Sequence, residues 1–167
     1  MVNGQRKTMN HSPATADSWQ IKPLPEQHAE LEVDGTYTAD EFIAIQQGFI
    51  PRDMDDKWFL YFADGWLNFH RSWTGTCVYR LNIEPENDTF RATIAQANRD
   101  PQQYRFQSDK FDVETMAFLI DRILLNRFAT LPTPGKMAPT EQQKLEQHLM
   151  GRPKGTISLR ILANGKH

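Results

Sequence analysis

The sequence is poor in the features that would place it in several common classes of protein. One cysteine among 167 residues excludes an intrachain disulfide and a cysteine-rich zinc site. No apolar run approaches the roughly 20 residues of a membrane-spanning helix, and residues 1–19 lack the apolar segment of a secretory signal. The formal net charge of -2 at pH 7 differs from the basic excess typical of nucleic-acid-binding proteins. We therefore expect a cytoplasmic protein whose partner is neither a membrane nor a nucleic acid.

The composition suits one folded domain with tails. Hydrophobic residues make up 39% of the chain and aromatic residues 11%, which is sufficient for a core. Residues 1–27 are polar and show no periodicity, so they predict a flexible N-terminal arm. Residues 28–130 form the predicted domain. Residues 131–167 contain prolines and glycines and predict an extension with a further helix and an edge strand at 156–162.

Two segments have helical patterns. In "DGTYTADEFIAIQQG", Thr38 and Glu41 have the spacing of a capping box and Gly48 suits the position after a helix, so a short helix is predicted at about 39–47. Farther along, apolar residues recur every three or four positions. They predict a long helix at about 113–129, with Asp112 as its N-cap.

The aromatic segment from Lys57 to Ala97 predicts four antiparallel strands in a meander. Asp64 and Gly65 form a favoured two-residue hairpin turn. This turn sets the cross-strand pairs Ala63–Trp66, Phe62–Leu67, Leu60–Phe69 and Trp58–Arg71. The predicted fold is therefore α+β, with a four-stranded antiparallel meander, the long helix packed on one face and the short helix before it.

The second and third turns are assigned by matching apolar residues across strands. A four-residue loop at 72–75 would pair Leu67 with Arg80, whereas a three-residue loop at 73–75 pairs apolar with apolar residues and puts Gly75 in the left-handed region. The three-residue loop sets the pairs Arg71–Cys77, Phe69–Tyr79 and Leu67–Leu81. The third turn, "PEND", then sets the pairs Ile83–Phe90, Leu81–Ala92 and Tyr79–Ile94.

Catalytic and metal-binding patterns are weak. In the predicted register, Cys77 and His70 lie on opposite faces and cannot act as nucleophile and base. The five histidines have no ligand spacing, and "DMDD" at 53–56 lacks the glycine and glutamate of a calcium loop. We interpret these aspartates as a solvated loop or as partners of Arg52 or Lys57. The sequence predicts no metal site and no cofactor.

The candidate ligand-binding residues cluster around the motif "HRSWTG" and the second face of the predicted sheet. Arginine recognises phosphate or carboxylate through paired hydrogen bonds, and aromatic rings stack on planar groups. The candidate residues are Tyr61, Asn68, His70, Arg71, Ser72, Trp73, Thr74, Arg80 and Arg91. The alternative is structural. The short helix then packs on this face of the sheet, the arginines of the sheet face lie at the rim of the contact, and Arg71 packs on Trp58.

The segment "MDDKWFLYFADGWLNFHRSWTG", followed by "CVYRL", resembles a small bacterial domain of unknown function. The resemblance covers about residues 54–81 and depends on the aromatic hairpin and the "HRSWTG" turn. Such domains occur beside ADP-ribose-handling enzymes, so the resemblance implies a nucleotide-like ligand. It implies no catalytic residue.

Three functions remain open from the sequence. The first is a non-catalytic binding or accessory module for a phosphate-bearing or nucleotide-like small anionic ligand, or for a protein partner. The second is a small hydrolase or transferase acting on a nucleotide-like substrate through His70 with Arg71 or Arg80, which requires a pocket at His70. The third is a homodimeric interaction protein that associates through its aromatic face or a sheet edge.

Overall fold

A computed structural model describes residues 12–105 and 108–129 as an α+β fold with one five-stranded antiparallel sheet and two helices. The strands, listed in chain order, are β1 (His28–Tyr37), β2 (Trp58–Ala63), β3 (Trp66–Arg71), β4 (Cys77–Glu86) and β5 (Thr89–Asn98). The helices are α1 (Ala39–Gln47) and α2 (Asp109–Leu119), and α2 continues as a π-helical turn over Ile120–Leu124. The order of strands in the sheet is β1-β5-β4-β3-β2, so β1 and β2 are the edge strands.

Strand β1 is the element that the sequence analysis missed, so the sheet has five strands and not four. It pairs with β5 from His28–Asn98 to Tyr37–Phe90. Gly35 lies inside the strand at a register shift that follows Glu32. The alternation of exposed glutamates with Leu31 and Val33 is the period of two expected of a half-buried strand.

Helix α1 confirms its prediction at both ends. Thr38 Oγ1 accepts a hydrogen bond from the Glu41 amide at 3.1 Å, and Glu41 Oε1 accepts one from the Thr38 amide at 2.9 Å. Gly48 ends the helix with a φ of 69°. The aromatic ring of Phe42 packs against Phe62 and Phe90, so α1 covers the core face of the sheet.

Helix α2 begins and ends earlier than predicted. Ser108 is the N-cap, and its Oγ accepts a hydrogen bond from the Phe111 amide at 3.3 Å. The predicted cap, Asp112, lies inside the helix with its side chain fully buried. The helix changes to π geometry after Leu119, and Phe128 lies beyond its end with 69% of its surface exposed.

The first hairpin has the predicted register, whereas the second has it only at the pairs Phe69–Tyr79 and Leu67–Leu81. All four predicted pairs between β2 and β3 are present. The connection at 72–75 has four residues, because the Arg71 amide donates to Thr76 O at 2.9 Å. A bulge at Val78 then restores the apolar pair Leu67–Leu81, so Cys77 lies opposite His70 and not opposite Arg71.

The third hairpin also differs from its prediction. It turns through Asn87 and Asp88 alone, with Asn87 at a φ of 55°, and Glu86 pairs with Thr89. Asparagine tolerates this left-handed conformation, which allows the two-residue turn. A bulge at Thr93 shifts the pairing further, and the apolar pairs are Ile83–Ala92, Leu81–Ala95 and Tyr79–Ala97.

The N-terminal segment over residues 12–27 lies against the second face of the sheet, where a flexible arm was predicted. The Ala14 amide donates to Gln47 O at 2.9 Å, and the Lys22 amide donates to Gly75 O at 2.9 Å. The Trp19 indole nitrogen donates to Ser72 O at 2.8 Å. This segment therefore belongs to the folded domain. The helix and edge strand predicted within 131–167 lie outside the described residues.

Across residues 12–105 and 108–129, no helix is both long enough and apolar enough to span a membrane.

Candidate functional site

The nine candidate residues do not converge on one site. His70, Asn68, Tyr61 and Arg80 lie on the second face of the sheet, whereas Arg71 lies on the core face against Trp58. Ser72, Trp73 and Thr74 lie in the turn between β3 and β4. Arg91 lies near the other end of the sheet, opposite Glu84.

His70 is buried, and its ring stacks on Tyr61 with the centroids 5.7 Å apart. Its Nδ1 lies 2.9 Å from Gly75 O, so Nδ1 carries the hydrogen and donates it. Nε2 is buried and has no hydrogen-bond partner among the described residues. Burial lowers the pKa of His70, which keeps the ring neutral. A neutral imidazole closed off from solvent does not serve as an acid–base catalyst for a ligand at the surface.

Cys77 lies directly opposite His70 on the same face, so the prediction that the two residues point apart is wrong. The bulge at Val78 is the physical reason, because one extra residue reverses the face of the residue before it. Burial raises the pKa of the Cys77 thiol to about 12, and burial also lowers the pKa of His70. A thiolate–imidazolium pair needs both shifts in the opposite directions. The pair is therefore a buried structural contact.

Arg80 lies in a polar network at the centre of the second face. Its Nε donates to Asn68 Oδ1 at 3.0 Å, and its Nη1 donates to Gln96 Oε1 at 3.1 Å. The guanidinium carbon lies 4.4 Å from the ring centroid of Trp66. No described carboxylate lies within 4 Å of Arg80.

Arg91, by contrast, is paired with carboxylates and is remote from Arg80. Its Nη2 lies 2.8 Å from Asp34 Oδ1, and its Nη1 lies 3.9 Å from Glu86 Oε2. The predicted register of the third hairpin misplaces Arg91, because the two-residue turn after Glu86 sets the pair Glu84–Arg91.

The turn itself fastens the loop that precedes β2. Ser72 Oγ donates to Asp56 O at 2.8 Å, and the Trp73 indole nitrogen donates to Met54 O at 3.1 Å. Lys57 Nζ lies 3.9 Å from the ring centroid of Trp73, which keeps 62% of its surface exposed. Thr74 Oγ1 donates to Thr76 Oγ1 at 2.9 Å within the turn. Arg71 packs on Trp58 at 4.8 Å, as expected from the structural alternative, and burial lowers the pKa of Arg71 to about 10.

A pocket of about 330 Å³ opens beside this loop, between residues 49–58 and the π-helical turn. We call it the basic pocket. It is lined by Phe49, Arg52, Asp56, Lys57, Trp58, Arg122, Ile123 and Asn126. Three cations and one carboxylate therefore face one cavity, although the whole chain has a formal net charge of -2.

Only one of the three cations has a carboxylate partner in the described structure. Arg52 Nε donates to Asp56 Oδ2 at 3.2 Å, which confirms that Asp56 is a partner of Arg52. Neither Lys57 nor Arg122 lies within 4 Å of a described carboxylate. Arg122 packs its guanidinium 5.3 Å from the Phe118 ring, and its Nη1 is buried with no described hydrogen-bond partner. Arg122 Nη1 is thus a desolvated donor that an anionic ligand in the pocket can satisfy.

Four residues of the basic pocket escaped the sequence analysis as ligand-binding candidates: Arg52, Lys57, Arg122 and Asn126. Arg52 and Lys57 flank the acidic loop at 53–56 and look like its counter-charges. Arg122 sits within an amphipathic helical run and looks like a solvated residue. No local signal joins it to a loop more than 60 residues earlier.

Among the described residues, no group of three or more histidine, cysteine, aspartate or glutamate side chains is arranged to hold a metal ion. Comparisons of the chain with family models, curated proteins and solved structures find no match.

Proposed function

We propose that the protein is a small non-catalytic binding module and that the basic pocket holds the phosphate group of its ligand. The observation that carries the proposal is the pair Lys57 and Arg122, two cations that line one cavity without a carboxylate partner among the described residues. Charge-assisted hydrogen bonds to phosphate are among the stronger polar contacts in proteins. A bound phosphate supplies the acceptors that these two side chains lack.

The charge of the pocket favours a phosphate monoester over a carboxylate. Arg52 is neutralised by Asp56, so two positive charges remain. A monoester carries close to two negative charges at neutral pH, because its second pKa is about 6. A cavity of about 330 Å³ is at the small end of ligand sites, which suits a phosphate and the group next to it. The nucleotide-like ligand implied by the "HRSWTG" resemblance carries such a phosphate.

The proposed role of the "HRSWTG" turn is to position the pocket. Ser72 and Trp73 bond to the backbone of the loop that carries Arg52 and Lys57, and Trp73 packs on Lys57 itself. Positioning by a rigid neighbour lowers the entropy that the loop loses when ligand binds. The motif thus acts through the residues that it orders.

We propose no catalytic role because the reactive side chains do not line the basic pocket. His70 and Cys77 are buried on the second face, away from the pocket lining. The one carboxylate in the pocket, Asp56, accepts hydrogen bonds from the amide and the Nε of Arg52. These two hydrogen bonds use the carboxylate to hold the loop.

A thermal-shift screen of the full chain tests the ligand class. The probes are inorganic phosphate, pyrophosphate, AMP and ADP-ribose, and adenosine is the control without phosphate. A ligand at about 100 times its dissociation constant adds about 2.7 kcal/mol to the free energy of unfolding, which raises Tm by several degrees. We expect stabilisation by AMP and none by adenosine. Equal shifts with both, or none with any phosphate compound, would contradict the proposal.

A further inference from the structure

The face of the sheet opposite α1 and α2 is a candidate interaction surface that the basic pocket does not use. The sheet register places its residues in two adjacent rows across all five strands. The first row, from β2 to β1, is Tyr61, Asn68, Arg80, Gln96 and Glu30. The second row is Ala63, Trp66, Asn82, Ile94 and Glu32. We call these two rows the open face.

The N-terminal segment covers only one end of this side of the sheet. Trp19 stacks on Phe59 with the ring centroids 6.2 Å apart, and the backbone at Gln20 and Ile21 passes over Gly75. The two rows lie beyond that cover. Ile94, on β5 next to the edge strand, keeps 44% of its surface exposed.

The residue types of the open face are those of a binding surface. Trp66, Tyr61 and Arg80 are of the three types most enriched among residues that dominate protein–protein binding energy. Arg80 is held in one orientation by Asn68, Gln96 and the Trp66 ring, so little side-chain entropy remains to be lost on binding.

The charges of the open face are complementary to each other across two strands. Arg80 on β4 has no described carboxylate within 4 Å, and Glu30 and Glu32 on β1 are exposed. Only β5 separates β1 from β4, so the backbone positions of Arg80 and the glutamates are about 10 Å apart. No ion pair joins Arg80 to either glutamate within the described chain, because the guanidinium bonds to Asn68 and Gln96, and both charges can therefore pair with a second copy turned by a two-fold axis.

We propose that the open face is the contact between two copies of this chain. In a two-fold dimer centred near β5, Ile94 packs against Ile94 of the second copy. Arg80 of each copy then meets Glu30 or Glu32 of the other, so the charge pair forms twice, as an isologous contact requires. With the axis along β5, the strands β4, β5 and β1 of one copy face β1, β5 and β4 of the other, so the contact is a strip of three strands about 14 Å wide.

Sedimentation velocity of the full chain over a range of micromolar concentrations tests this proposal. We expect a concentration-dependent dimer that Ile94→Asp abolishes. Ile43→Asp is the matched control, because Ile43 is exposed on α1, outside the open face. A dimer that survives Ile94→Asp, or a chain that is monomeric at every concentration, overturns the proposal and leaves the face to another occupant.

Charge-reversal variants provide a second test, which shows whether Arg80 pairs with either Glu30 or Glu32 of the second copy. Two variants are compared: the single variant Arg80→Glu and the double variant with Glu30→Arg and Glu32→Arg. By itself, each should form far less homodimer, since each places like charges together twice. A mixture of the two variants restores opposite charges on both sides, so we expect heterodimers at close to the wild-type level. Both glutamates are exposed, so their reversal leaves the fold intact. Failure of the mixture to associate overturns the proposed pairing.

Discussion

At the scale of single residues, neighbours in the "HRSWTG" motif have opposite surroundings. His70 bonds to Gly75 O and stacks on Tyr61 on one face, and Arg71 lies on Trp58 on the other, because successive side chains of a strand alternate. The motif is therefore a structural junction: it joins the N-terminal segment, the loop before β2 and the strand pair β3–β4. Substitutions in the "HRSWTG" motif should therefore lower, first of all, the free energy of unfolding.

Gly75 is the residue of this junction that tolerates a side chain least. Its φ is 78°, and an added Cβ would lie 2.6 Å from Gln20 O and 3.1 Å from Ile21 Cα. Gly65 has a φ of 87° but no contact closer than 3.5 Å. We expect Gly65→Ala to cost about 1–2 kcal/mol through backbone strain alone, and Gly75→Ala to cost at least about 1 kcal/mol more. Urea unfolding measures both. Equal losses would show that the N-terminal segment does not press on Gly75.

The buried histidine predicts a specific dependence of stability on pH. Burial lowers the pKa of His70 in the folded state, so protonation favours the unfolded chain. Its contribution to stability is complete above the unfolded pKa of about 6.5 and is lost as the pH falls. His70→Asn keeps a donor for Gly75 O but cannot take up a proton. We expect the slope of unfolding free energy between pH 7 and pH 5 to flatten in this variant, and an unchanged slope would contradict the assignment.

At the scale of elements, α2 is fixed to the sheet by a buried carboxylate. The hydroxyls of Tyr79 and Tyr104 donate to Asp112 Oδ1, and Arg99 Nη1 lies 2.7 Å from Asp112 Oδ2. Burial raises the pKa of Asp112, because the hydrogen bonds offset only part of the lost solvation. The cluster joins α2 to β4 and to the segment after β5.

Asp112→Ala should therefore destabilise the fold strongly, by about 3–5 kcal/mol, since it removes the acceptor shared by two buried tyrosine hydroxyls and the buried carboxylate partner of Arg99. Asp109→Ala is the matched control. Asp109 also bonds to Arg99, at 2.7 Å, but 74% of its side chain is exposed, so its loss should cost less than about 1 kcal/mol. Thermal and urea unfolding distinguish the two, and similar effects would contradict the central role of Asp112.

The elements that the sequence predicts correctly are those with local determinants. The capping box of α1 and the Asp64–Gly65 turn each depend on residues within a few positions, and both are confirmed. The bulges at Val78 and Thr93 are features of the pairing between two strands, and no pattern within a single strand indicates them. One missed bulge was sufficient to place Cys77 on the wrong face.

At the scale of the whole molecule, the basic pocket shows why a site can be absent from a sequence reading. Arg52 and Lys57 come from a loop and Arg122 from the end of a helix, and the fold alone brings them together. The overall charge of -2 conceals this local excess of positive charge. Because part of the attraction between the basic pocket and a phosphate-bearing ligand is electrostatic, we expect ligand affinity to fall as the salt concentration rises.

The most direct test of the central claim is a calorimetric titration of the full chain with AMP at pH 7.5. The wild-type chain is compared with Lys57→Gln, Arg122→Gln and the control Lys110→Gln, which lies on the exposed side of α2. We predict that each pocket variant weakens binding by about 10-fold or more, whereas the control binds as the wild type does. Binding that is equal in all four proteins, or none in the wild type, would contradict the assignment of the basic pocket as a phosphate site.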